Sequence, residues 1–169
     1  AAKPYMFAID PFGVEKWRFN TGGLHMGTNP TIGSDGTIYI GTGNSLHTIS
    51  VGMQKVYAVN PDGTEKWQQD IGEDIASSAV IDDDGLIYIV SKPSIHVFYP
   101  NGTEKMTRVL AGSGEHAVSN PLITRDNLLV VASNANHGLV ETYDIFDLDL
   151  VWTYDTECTR GNATATYRA

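Results

Sequence analysis

Cysteine is nearly missing from this 169-residue chain: Cys158 stands alone, so no disulfide can form within one copy. Basic residues are also scarce. Eleven Lys and Arg face twenty Asp and Glu, a formal net charge of −9. Nonspecific grip on nucleic acid comes from cations that neutralise phosphates, so this balance argues against a nucleic-acid partner. An anionic lipid surface is disfavoured for the same reason. No apolar run approaches the roughly 20 residues that a membrane-spanning helix needs. Helical periodicity is lacking too: apolar residues recur at period two or in short runs. The low lysine content, the acidic balance and the many Thr, Asn and Gly favour an extracellular, cell-surface or periplasmic protein.

What is present is repetition, the first feature to look for in such a chain. Val56-Tyr57-Ala58-Val59-Asn60-Pro61-Asp62-Gly63-Thr64-Glu65-Lys66-Trp67 reads as strand, tight turn, strand. The same pattern runs from Met6 through Gly13 to Trp17, and from Ile95 through Gly102 to Met106. A looser copy runs from Glu141 to Trp152, with Asp147 or Leu148 in the glycine place. A second hairpin type alternates with the first. Its copies align on Gly36, Gly85 and Asn127, and Asn tolerates the positive φ that glycine supplies. Asp35-Gly36 predicts a two-residue turn between apolar runs. A partial last copy begins at Asn162.

Two alternating hairpins make a four-stranded antiparallel unit of about 40 to 50 residues, the size of a propeller blade. The expectation is therefore an all-β fold, a β-propeller with about four blades in one domain over residues 1–169. Approximate blades are 28–70, 77–110 and 118–154, with 5–20 and 161–169 in incomplete or shared blades. Three readings follow: a piece of a larger propeller, a half ring completed by a second copy, or a small ring closed by pairing 161–169 with 5–20. The first is favoured, because a chain ending in mid-hairpin leaves an unpaired strand edge.

These residues resemble the PQQ-like repeat β-propellers, whose blades carry a tryptophan-docking motif of Ala, Asp, Gly and then Trp. Ala8, Asp10, Gly13 and Trp17 match in type, as do Ala58, Gly63 and Trp67 with Asn60 in the Asp place. The likeness covers nearly the whole chain. It implies that Trp17, Trp67, Met106 and Trp152 pack against neighbouring blades. The shorter turns at Gly13 and Gly63 are most similar to the surface-protein branch of the family, which includes an outer-membrane assembly lipoprotein. The quinoprotein dehydrogenases of the same family use pyrroloquinoline quinone and calcium and carry two adjacent cysteines; only Cys158 is present here.

Candidate chemistry is sparse. Asp82-Asp83-Asp84 is the densest carboxylate cluster and the only calcium candidate, but successive strand residues point to opposite faces. A solvated Asp-Gly turn explains it without an ion. His25, His116 and His137 fall in loops, with His47, and His96 reads as a strand residue with a structural role. No zinc spacing and no nucleophile elbow appear. The Glu-Lys pairs at 15–16, 65–66 and 104–105 read as charges guarding strand ends. The expected function is a noncatalytic scaffold that binds a protein or glycan through loops at His25, Met26, Asp74, Glu115 and His116. A quinoprotein fragment and a carbohydrate-binding accessory domain are the alternatives.

Overall fold

Six hairpin turns close in the same way. In each, the residue before the loop takes the carbonyl of the residue after it, and the third loop residue donates back. Asp10 N bonds Val14 O at 2.9 Å and Gly13 N bonds Asp10 O at 3.0 Å. The pairs at Gly33, Asn60, Asp82, Tyr99 and Thr124 repeat this. The third loop residue is left-handed each time: Gly13, Gly36, Gly63, Gly85, Gly102 and Asn127, with φ between 59° and 88°. This is a three-residue loop, a type I turn followed by a left-handed residue. The two-residue turn expected at Asp35-Gly36 is thus one residue longer. The Asp35 carboxylate takes the Thr37 amide at 2.9 Å, which holds the chain in the longer path. A seventh turn has four loop residues, and Leu148 takes the left-handed place with φ 58°.

The computed structural model describes residues 5–22, 28–43, 54–75, 77–112, 119–133 and 138–156. The partial repeat at 161–169, and so any blade shared with 5–20, lies outside them. Among the described residues there is no helix. Strands β1 (Tyr5–Ile9) and β2 (Glu15–Asn20) form a lone hairpin. Next, β3 (Thr31–Ile32), β4 (Ile38–Gly41), β5 (Lys55–Val59) and β6 (Glu65–Asp70) pair in chain order. The short β7 (Asp74–Ile75) and β8 (Val80–Ile81) both pair with β9 (Ile87–Lys92), which continues to β10 (Ser94–Phe98) and β11 (Glu104–Val109). The last sheet is β12 (Leu122–Ile123), β13 (Leu128–Ser133), β14 (Leu139–Asp144) and β15 (Leu150–Asp155). All pairs are antiparallel. The four sheets stand in an open array, a partial propeller.

Side-chain alternation explains why the middle strands are apolar on both faces. Tyr57 and Val59 of β5 pack toward the first hairpin with Met6, Phe19 and Ile40. Val56 and Ala58 pack the other way, with Tyr39, Ile87, Ile89 and Phe98. Strand β9 divides likewise: Tyr88 and Val90 turn toward Leu129, Val131 and Tyr143. The core is therefore three seams between sheets rather than one central mass.

Each of the first two seams is fastened by an indole. Trp17 donates from Nε1 to Pro61 O at 2.9 Å, and Trp67 to Pro100 O at 3.0 Å. The ring lies so close to the turn that a Cβ on Gly63 would stand 2.6 Å from Trp17 Cγ. A Cβ on Gly102 would stand 2.8 Å from Trp67. At the third seam Met106 packs in the cluster that contains Leu148, which is buried. Loss of the indole and loss of the glycine go together there. Trp152 lies on the outer strand of the last sheet and is 45% exposed.

These contacts rank the glycines. Gly63→Ala and Gly102→Ala meet both a positive φ and an indole, and should each destabilise by about 2–4 kcal/mol. Gly13→Ala, where nothing among the described residues lies within 4 Å of the added atom, should cost only about 1–2 kcal/mol. Urea unfolding followed by tryptophan fluorescence checks the order.

Candidate functional site

Turns that cap two neighbouring sheets leave a groove of about 490 Å³ between them. Asp35 and the loop Gly33–Gly36 form one bank, and Asp82–Gly85 with Pro100 form the other. Ile32, Tyr39 and Ile81 provide apolar floor and wall. Each turn is braced from behind. A Cβ on Gly36 would lie 3.0 Å from the Pro61 ring, and one on Gly85 3.6 Å from Pro100.

The groove's carboxylates differ in what they are free to do. Asp35 accepts the Thr37 amide at 2.9 Å, the Thr37 hydroxyl at 2.8 Å and the Lys66 ammonium at 3.0 Å. These donors, Thr37 foremost, hold its pKa down to about 2. Asp82 accepts Leu86 N at 2.8 Å and the Tyr88 hydroxyl at 2.9 Å, so its carboxylate shapes the turn. Burial and this carboxylate raise the Tyr88 pKa. Asp83 and Asp84 are exposed at the tip. The result is an acidic, partly apolar trough whose polar geometry is set by the turns themselves.

The run Asp82-Asp83-Asp84 does not gather around a point. Calcium needs six to eight oxygens. Among the described residues no three His, Cys, Asp or Glu side chains lie together in a way that would hold a metal ion. Cys158 falls outside the described residues.

His96 is buried between two carboxylates. Its Nδ1 lies 2.9 Å from Glu104 Oε1, and its Nε2 lies 3.2 Å from Glu73 Oε2. Ser91 and Ser94 donate to Glu73 at 2.5 and 3.1 Å, and Thr107 donates to Glu104. Burial pushes the Glu73 carboxyl up, but the hydrogen bonds from Ser91, His96 and Ser94 outweigh it and leave the pKa below the ordinary value. Glu104 is lowered by Thr107 and His96 against the same burial. The ring stacks on Phe98 at 13°. The two ring nitrogens point to opposite carboxylates, so this is a polar fastening within the third unit.

The other sites expected from sequence are placed as follows. Asp74 lies in β7, in the connection between sheets, at the opposite end of the strands from the groove. His25, Met26, Glu115 and His116 lie outside the described residues, as do His47 and His137. The Glu-Lys pairs are not equivalent. Glu15 pairs Arg18 at 2.7 Å, Lys66 reaches Asp35, and Glu104 meets His96. Sequence reasoning missed the groove and the partners of His96. Glu73 and Glu104 are 31 positions apart, and Ile32 and Pro100 68 apart, with no local pattern joining them.

Repeated antiparallel sheets packed face to face and fastened by indoles on glycine turns define a β-propeller of PQQ-like repeats. Residues 52–168 match the profile of the family described as "Outer membrane protein assembly factor BamB", and the chain belongs to that family. No curated protein matches the chain. Among solved structures it is similar to BamB from Moraxella catarrhalis, at 15% identity and a TM-score of 0.66, over 85% of this chain and 41% of that one. It is also similar to a protein of unknown function from Bacteroides caccae, at 15% identity and 0.62, over 89% and 54%. A third is the quinohemoprotein alcohol dehydrogenase from Comamonas testosteroni, at 12% identity and 0.65, over 83% and 22%. The chain thus spans about half or less of each of these structures, and at such identities the likeness is one of fold.

The lowered carboxyl at Glu73 has a pH consequence. Its stabilising effect is complete above about pH 4.5, the ordinary glutamate value, and drains away as pH falls through the lower folded value. Glu73→Gln should lower the melting temperature at pH 7, with a deficit that shrinks toward pH 3. Thermal melts by circular dichroism at both pH values check it.

Proposed function

We propose that this chain is part of a noncatalytic scaffold that binds another protein, working in the periplasm at the outer membrane. The observation that carries this reading is the match of residues 52–168 to the BamB family. The groove between the turn banks supports it as the surface where a partner segment lies. Its carboxylates are fixed by backbone amides, so they present negative charge without reorganising. Its exposed Ile32 and the Pro100 ring offer apolar contact beside them. A segment that places Lys or Arg next to an apolar residue complements both features.

Asp83 and Asp84 point to solvent at the tip of one bank, so they can be changed without breaking the turn that Asp82 holds. The test is an array of peptides tiled across outer-membrane protein sequences, probed with the wild-type chain and with Asp83→Lys/Asp84→Lys. Basic-apolar peptides should be retained by the wild type, and the double variant should bind them about tenfold more weakly or less, the scale of losing charge complementarity. Retention of glycans instead of peptides would move the chain to the carbohydrate-binding class. Alcohol oxidation on adding pyrroloquinoline quinone and calcium would move it to the dehydrogenases.

A further inference from the structure

The two banks of the groove are one kind of turn used twice, with a difference in charge. Their closing hydrogen bonds align Gly33 with Asp82, Asp35 with Asp84 and Thr37 with Leu86. The outer strands of the two sheets align as well. Lys66 follows Glu65 as Lys105 follows Glu104, each beside the irregularity that shifts the strand pairing. A lysine thus stands in the same place on both sheets.

The first bank alone uses it. Lys66 Nζ donates to Asp35 Oδ2 at 3.0 Å and to Thr37 Oγ1 at 2.9 Å. The Thr37 hydroxyl gives its own proton to Asp35 Oδ2 at 2.8 Å and keeps a lone pair for the ammonium. Leu86 has no such oxygen, so Lys105 lacks the second acceptor that would hold it over its turn. Among the described residues Lys105 makes no ion pair, and neither Asp83 nor Asp84 meets a cation.

The groove therefore has unlike sides. On the Asp35 side the carboxylate is matched by Lys66, and the group presented to solvent is Ile32, at 67% exposure. On the other side the counterpart Ile81 is half-buried, and the exposed groups are the carboxylates of Asp83 and Asp84. A segment lying between the banks meets an apolar place on one side and an unmatched negative charge on the other.

We propose that Lys66 is a specificity-determining residue of this groove: by holding Asp35 it selects a partner segment with a single Lys or Arg, seated on the Asp83–Asp84 side, and an apolar residue over Ile32. The inference rests on the reading that the groove takes a segment of another protein. A second cation on that segment would have to displace Lys66 from two acceptors and approach its ammonium, so it gains nothing. The direction in which the segment lies follows from the same asymmetry. Replacing Lys66 would open a second anionic place, because the Thr37 amide and hydroxyl keep Asp35 ionised without it; they contribute most to its pKa of about 2.

The test compares two peptides of equal length, one with a single Lys beside a Leu and one with a Lys on each side of it. Binding is read by fluorescence anisotropy at physiological ionic strength, where long-range attraction to the acidic chain is screened. The wild type should bind both peptides alike. Lys66→Met, which keeps the aliphatic stem and removes the charge, should bind the two-Lys peptide about fivefold more tightly than the one-Lys peptide, the scale of one exposed ion pair. Lys66→Arg should behave as the wild type, and the strand signal in circular dichroism should be the same in all three proteins. A gain from the second Lys already present in the wild type overturns the inference and leaves the groove as a partner site. So does a Lys66→Met protein that treats the two peptides alike. Binding of neither peptide to any of the three proteins overturns the reading beneath it as well.

Discussion

An indole lying flat on a glycine turn is the contact on which this molecule depends. It joins three requirements in one place. The turn must present a carbonyl outward, its third loop residue must be left-handed, and that residue must have no side chain. Pro61 and Gly63 meet all three for Trp17, and Pro100 and Gly102 meet them for Trp67. A sheet of four short strands cannot bury both faces alone. The indole fixes the angle at which the next sheet covers it, and the apolar clusters of each seam then fill the space behind.

Around that contact the polar groups are arranged to hold turns and seams. Asp10, Asp35, Asp62, Asp82 and Asp144 each accept a backbone amide in their own loop. The inner strands are tied from sheet to sheet through Asn29 to Ser78 and Ser78 to Asn120. The His96 fastening sits on the second seam's side of β10, beside Phe98, whose ring meets Trp67 at a tilt of 37°. An acidic chain of this kind uses much of its negative charge as internal scaffolding, and presents the remainder at turn tips such as Asp83 and Asp84.

The hairpins, their alternation and the propeller class were legible because each depends on residues a few positions apart. Turn glycines, strand alternation and the Trp spacing are local signals. The loop length at Asp35-Gly36 was not, because Asp-Gly is equally at home in both loop types and the choice lies in what the Asp35 carboxylate bonds. The groove was invisible for a different reason. Its banks belong to separate sheets, and only their stacking brings Asp35 to Asp82–Asp84. His96 read as structural, yet its partners Glu73 and Glu104 could not be named, since Glu104 occupies a place where Glu15 and Glu65 do other things.

Met106 in the Trp place and Leu148 in the Gly place make the third seam chemically distinct from the first two. A repeat protein with identical seams risks docking its units in the wrong order, because every plug fits every socket. Here the last sheet carries a leucine where an indole would have to lie, so neither Trp17 nor Trp67 can be accommodated on it. Tyr88 and Tyr143 replace the indole as polar ties across that seam, to Ile145 O and Ala111 N. The third junction is a keyed lock in an otherwise uniform series, and it reserves the last sheet for the one neighbour that brings no indole.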